Sequence, residues 1–194
     1  MTPPPTWLSH PLFNVASFFI LGQVAKRMNL EDPDNLFYAR AVYVMAQATI
    51  IGLSYWLISK VDKKNDTTIL RYVEPAKPDW EGNKGTEKLV VTNHKDYDIA
   101  EIKKTITQTL TGVGIIAFLH LQFKFTQPLV VQSVLAFKTF FLSKEALIHV
   151  WGEPTVGVLR RPFKNESPFG GMTGGAFLTD KASIKRAEKA MKNE

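Results

Sequence analysis

Thr105-Ile-Thr-Gln-Thr-Leu-Thr-Gly-Val-Gly-Ile-Ile-Ala-Phe-Leu-His-Leu-Gln-Phe123 contains no Asp, Glu, Lys or Arg. As a helix these nineteen residues extend about 28 Å, close to the hydrocarbon thickness of a bilayer. A second charge-free run, residues 41–58, holds eighteen residues, and a third fills the N-terminal stretch before Lys26. A soluble chain of 194 residues has room to bury one such helix in its core, but hardly three. The sequence therefore predicts an all-α membrane protein. The mean hydropathy of -0.07 conceals this, because it averages apolar helices with highly charged connectors.

The chain has no cysteine, which excludes disulfides, thiolate metal sites and cysteine nucleophiles. Its net charge of +6 comes from 24 basic residues that are unevenly placed. Three fall in 26–40, ten in 60–104, three in 124–144 and eight from Arg160 onward. That distribution reads as membrane topology, and no stripe of basic and aromatic residues suggests a nucleic-acid module. The N-terminus lacks the positive n-region and small-residue cleavage site of a cleaved signal peptide, so the first apolar run is expected to persist in the mature protein.

The expected architecture is a bundle of three to four transmembrane or interfacial helices, with a small cytosolic hairpin-like connector and a polar C-terminal tail. After an extended proline-rich leader, spans are expected at about 11–27, 36–60 and 103–125. Asp32-Pro33 supplies an N-cap and a proline at the first helical position for the second of these. Ala48 and Gly52 give it a small-xxx-small face. In the connector, 61–102, two β-like pieces at 69–73 and 89–92 are separated by Pro75, Pro78, Gly82 and Gly85 and suggest a hairpin. Asp98 and Glu101 resemble a capping box for the third helix.

The stretch 129–149 follows Pro128 and is interrupted by Lys138, Lys144 and Glu145. It fits either a short slanted crossing with snorkelling lysines or an amphipathic interfacial helix, and both readings stay open. These elements make a membrane helical domain of 1–151. A cytosolic tail of 152–194 follows, with a charged helix from about Asp180. Basic residues flanking the spans, Lys60, Lys63, Lys64, Lys103 and Lys104, place the connector in the cytosol. A returning fourth helix would put Arg160 and Arg161 there too.

Candidate functional residues are polar groups inside the apolar helices. Arg40, Tyr43, Gln47 and Ser54 form one stripe on the second helix, and Thr105, Thr109 and His120 share a comparable face of the third. Asn14 adds to them from the first. Such groups are costly in hydrocarbon unless they meet one another or water. They line either a hydrophilic groove or a set of polar contacts that glue helices together, with Arg40 snorkelling at the interface. The dispersed histidines, His10, His94, His120 and His149, have no ligand-type spacing. His94-Lys-Asp-Tyr-Asp98 reads as a turn plus N-cap, and the glycine-rich run 169–175 lacks the ending of a phosphate-binding loop. No catalytic pattern, metal site or cofactor is expected, and the residues point to a non-enzyme.

An ordered set of short stretches carries a resemblance: Glu31-Asp-Pro33, Lys64-Asn-Asp-Thr-Thr68, Arg71-Tyr-Val-Glu-Pro75, Lys95-Asp-Tyr-Asp98, His120-Leu121, Pro128-Leu129, Gln132-Ser133, Leu159-Arg-Arg-Pro-Phe-Lys164 and Phe169-Gly-Gly-Met172. Together they resemble the third component of the SRP-independent (SND) targeting pathway, also called the inorganic phosphate transport protein 88 family. The resemblance covers about 23–188. It implies a multi-pass protein of the endoplasmic reticulum membrane that assists targeting and insertion of other membrane proteins. Its implied partners are the Sec translocon, the ribosome, nascent clients, other SND components and the bilayer, with no specific nucleic-acid site apart from a ribosome contact. A polar groove beside the translocon would make it insertase-like. The older family name leaves open a subunit of a phosphate transporter, and a scaffold that only docks on the translocon is the third alternative.

Overall fold

The computed structural model describes residues 4–5, 8, 10–75, 87–163 and 177–191. The run 169–175, Pro78, Gly82, Gly85 and part of the proline-rich leader lie outside them. The described residues are mostly helical with one two-stranded sheet, and the chain divides into two compact units.

The first unit comprises Met1–Lys63 and Ile99–Glu153. Helix α1, Pro11–Arg27, starts where the His10 imidazole accepts the Leu12 N–H, and Lys26 and Arg27 sit favourably in its last turn. Asp32 Oδ1 accepts the Asp34 N–H at 2.9 Å and Pro33 occupies the first turn, so α2, Pro33–Lys64, begins where local capping rules place it. Helix α3, His94–Phe123, starts a turn earlier than Asp98 would dictate. Asn93 and Asp96 cap it reciprocally, Asn93 Oδ1 accepting the Asp96 N–H at 2.7 Å and Asn93 Nδ2 donating to the Asp96 carboxylate at 2.8 Å. Asp98 is thus not an N-cap.

With 32 and 30 residues, α2 and α3 are about 48 and 45 Å long. Among the described residues they are the two helices long and apolar enough to cross a membrane. At 17 residues α1 is about 26 Å long, short of that test.

The stretch 129–149 is not one helix. Helix α4, Gln127–Phe141, stops at Leu142, and Ser143 starts a new turn by accepting the Ala146 N–H on its hydroxyl. Helix α5, Lys144–Ala146, then widens into a π turn, Leu147–Trp151, closed by Gly152 at φ 78°. The Trp151 indole donates to the Phe141 carbonyl at 2.9 Å and holds the bend.

Helix α4 lies antiparallel to α1. Gly22, near the end of α1, faces Gln127 at the start of α4, so close that a Cβ would fall 2.6 Å from the Gln127 amide nitrogen. At the other end Lys138 donates to Asn14. Phe140 and Ala146 join Ile50, Leu57 and Val61 of α2 and Ile102 and Ile106 of α3 in the unit's core. The end of α4 therefore packs where α2 ends and α3 begins.

The second unit comprises Lys64–Asp98 and Pro154–Glu194. Strands β1, Ile69–Glu74, and β2, Lys88–Asn93, pair antiparallel with Ile69 opposite Asn93 and Glu74 opposite Lys88. The hairpin read from the β-branched runs is present. Val73, fully buried, also exchanges both backbone hydrogen bonds with Leu178. Helix α6, Lys181–Met191, is capped by Asp180, which accepts the Ser183 N–H and hydroxyl, each at 2.9 Å. Ser183 and Ala187 are buried, and Glu188 pairs with Arg71 of β1 at 3.5 Å.

Candidate functional site

The polar groups predicted to share a groove fall into three kinds. Arg40 and His120 are brought into direct contact, with Arg40 Nε donating to His120 Nε2 at 2.9 Å. The opposite ring nitrogen lies 3.1 Å from the Phe125 carbonyl oxygen, beyond the end of α3. A guanidinium nitrogen can only donate and a carbonyl can only accept, so Nε2 carries the lone pair and Nδ1 the proton. The imidazole is neutral, and the pair keeps the full positive charge of the arginine. His120 is buried while Arg40 is exposed.

Tyr43, Gln47 and Ser54 are all buried on the inward face of α2. Thr105 and Thr109 are half-buried, and both turn their hydroxyls onto their own helix, to the Glu101 carbonyl at 3.2 Å and the Thr105 carbonyl at 3.0 Å. The same back-bonding to the residue four positions earlier occurs at Ser17, Thr49, Ser54, Thr107, Thr111 and Ser133. A hydroxyl satisfied in this way asks nothing of a neighbour or of water, which is the condition for placing it in hydrocarbon.

Asn14 stands apart from this set. It accepts a hydrogen bond from Lys138 of α4, whose ammonium also sits 4.4 Å from the centroid of the Phe13 ring. Thirteen residues of α1 separate Asn14 from Arg27, about 20 Å along the axis, and Arg27 leads into the α2 end that carries Arg40. Arg40 lies about 10 Å from the start of α2, so Asn14 sits at a different level and is not part of the Arg40–His120 pair.

Of the basic residues flanking the long helices, Lys60, Lys63, Lys64, Lys103, Lys104 and Arg160 are exposed. Lys60 lies 5.3 Å from the centroid of the Trp56 ring, and Lys104 is 3.6 Å from Glu101. Arg161 behaves differently. Its side chain is 4% exposed and grips Asp98, itself 1% exposed, through two bonds, Nε to Oδ1 at 2.6 Å and Nη2 to Oδ2. Burial acts to lower the Arg161 pKa, but the hydrogen bond and negative charge of Asp98 outweigh it and raise the value above that of a free arginine. Arg161 is an internal counter-ion, not a surface contact.

The neighbours of this pair form the centre of the second unit. Tyr97 accepts the Phe163 N–H on its hydroxyl at 2.7 Å, and its ring stands edge-on to Tyr72 and Phe163. Tyr72 in turn meets Phe177. Tyr72, the pair Tyr97 and Asp98, and Arg161 with Phe163, distant in sequence, thus supply one cluster.

At the entry to the hairpin, Asp66 Oδ1 accepts the Thr68 N–H and Oδ2 lies 3.2 Å from His94 Nδ1. Bonds from the Thr68 side chain and backbone, with His94 adding to them, lower the Asp66 pKa to about 2. Beside it Asn65, at φ 47°, is exposed and accepts a hydrogen bond from Lys95. Among the described residues no group of three or more His, Asp or Glu is placed to hold a metal ion.

Comparison with known proteins adds the following. The family described as phosphate transport (Pho88) matches residues 8–194. The chain is 39% identical over 183 residues to SRP-independent targeting protein 3 of Saccharomyces cerevisiae, covering 91% of this chain and 93% of that one. It is 34% identical over 174 residues to an SRP-independent targeting protein 3 homolog of Schizosaccharomyces pombe, covering 89% and 87% respectively. No solved structure matches it.

Proposed function

The chain belongs to the phosphate transport (Pho88) family, and from that membership we propose that it is a multi-pass protein of the endoplasmic reticulum membrane assisting SRP-independent targeting and insertion of membrane proteins. The observation that carries the proposal is the match to a yeast protein of that named role, which leaves almost none of either chain uncovered. The geometry supports a membrane setting in three ways. Two helices have the length and apolarity to cross, the outer surface of α3 is apolar at Leu110, Ile115, Phe118 and Leu121, and the helix hydroxyls are satisfied internally.

Helices α1, α2 and α3 cross, and α4 returns, since its end packs with the end of α2 and the start of α3. Lys60, Lys63, Lys103 and Lys104 then face the cytosol, where nascent clients, the ribosome and other targeting components arrive. The Sec translocon is the proposed neighbour within the membrane. The buried stripe Tyr43, Gln47 and Ser54, with Arg40 and His120 beyond it, is the proposed insertase-like element, because polar groups there shorten the apolar path for a client's flanking loop.

Two measurements test this. Depleting the protein at constant phosphate supply is expected to reduce insertion of membrane proteins that do not use SRP, and the protein is expected to crosslink to them as nascent chains. Purified alone in liposomes, it is expected to carry no phosphate flux, since a carrier needs several cations around a closed wet path near the midplane. Flux proportional to protein, with normal client insertion on depletion, would replace the targeting role by transport. The cytosolic connector also predicts that Asn65 of Asn65-Asp-Thr67 stays unglycosylated in cells despite its exposure. A glycan on Asn65 would invert the topology.

A further inference from the structure

We propose that Arg40, held in place by His120, is a binding site for a phosphate group at the end of the bundle opposite the connector, supplied there by a phospholipid headgroup. Placing it at that level rests on α2 and α3 spanning the bilayer, but not on any insertion activity.

Arg40 is the eighth residue of α2, about 10 Å from the helix start. A helix of about 48 Å matches a bilayer of about 40–45 Å counted with its headgroups, so Arg40 falls near the boundary of the hydrocarbon, within reach of the phosphates. Aromatic side chains mark the same level. Phe37 and Tyr38 on α2, and Phe118, Phe123 and Phe125 at the end of α3, are all more than half exposed.

A positive charge at this depth is costly without a counter-ion. Among the described residues no carboxylate pairs with Arg40: Asp32, the N-cap of its own helix, takes the Asp34 N–H instead. Among the described residues the side chain that holds Arg40 is a neutral imidazole, which fixes the Nε edge and neutralises nothing. Among the described residues neither Nη group has a hydrogen-bond partner, and Phe37 and Val44, three residues before and four after, present apolar surface on either side. A guanidinium anchored at Nε presents two parallel N–H donors, which suit a phosphate bidentately. Apolar flanks suit the acyl chains attached to it. His120 is thus a positioning residue, and the anion missing from the protein is supplied by the ligand.

The test uses the purified full chain in mild detergent, titrated with dioctanoyl phosphatidic acid, with dioctanoylglycerol, which lacks the phosphate, and with inorganic phosphate. The wild type is expected to bind the phosphate-bearing lipid about tenfold or more tightly than the glyceride. Arg40→Gln should erase that preference and His120→Ala should reduce it at unchanged charge. Arg40→Lys, which keeps the charge but loses the fork and the Nε contact, should also fall below the wild type. Helicity by circular dichroism checks each variant, and the Arg40→Lys comparison decides if Arg40→Gln does not fold. Inorganic phosphate binding that Arg40→Gln abolishes, without a lipid preference, would keep the phosphate site and make free phosphate its ligand. A wild type that binds neither, or a preference untouched by Arg40→Gln and Arg40→Lys, would overturn the proposal. Client insertion is measured separately, so either can fail alone.

Discussion

Asp98→Ala is expected to destabilise the second unit by about 3–5 kcal/mol, because it leaves the Arg161 guanidinium buried without its bidentate partner. The pair is bidentate and nearly sealed from solvent, so water cannot take over the lost bonds. The effect should be local. Phe163 N–H, held by Tyr97, and Val73 N–H, held by Leu178, are expected to exchange with deuterium about a hundredfold faster or more, while amides of α2 keep their protection. Replacing both partners with apolar residues of similar size, Asp98→Leu with Arg161→Met, should be milder than Asp98→Ala, since no orphaned charge remains. Exchange in Asp98→Ala at wild-type rates would show that the aromatic cluster of Tyr72, Tyr97 and Phe163 holds the unit without the ion pair.

That pair also marks where sequence reading stops. Local rules located what local chemistry determines: Asp32-Pro33 opens α2, the β-branched runs pair as a hairpin, and a charged helix follows Asp180. At Asp98 a local rule gave the wrong partner. Asp98 and Glu101 have capping-box spacing, but Asn93 and Asp96 have a better-placed set one turn earlier, and the ligand of Asp98 lies 63 residues away. Three of the stretches that carried the family resemblance converge on that cluster, which was the one available signal that they meet. Ser143 is the converse case. Its capping role was not read from the sequence, because the apolar window across 129–149 reads through it as one helix. The stripe containing Arg40 was visible from helical spacing. Its contact with His120 depends on the antiparallel register of α2 and α3, which spacing within a single helix does not reveal.

Single cysteines in this cysteine-free chain are expected to give an all-or-none map of sidedness in sealed vesicles of endoplasmic reticulum, whose cytosolic face is outward. Lys63→Cys, at the end of α2, should react with a membrane-impermeant thiol reagent added outside. Glu31→Cys and Phe125→Cys, in the turns before α2 and after α3, should react only once the vesicles are opened. Glu153→Cys decides the fate of α4. The 15-residue helix is about 22 Å long, short for a full crossing, but Phe140 and Ala146 pack with Leu57, Val61 and Ile102, which fixes the level at which the segment ends. Labelling of Glu153→Cys from outside is therefore expected, and labelling only after opening would make α4 a re-entrant or interfacial helix. Leu110→Cys supplies the sharpest contrast. Leu110 is 54% exposed on α3, so in a water-soluble bundle its thiol would react at once. Covered by acyl chains, it should stay unreactive from either side until detergent removes the lipid, and prompt labelling there would remove α3 from the membrane.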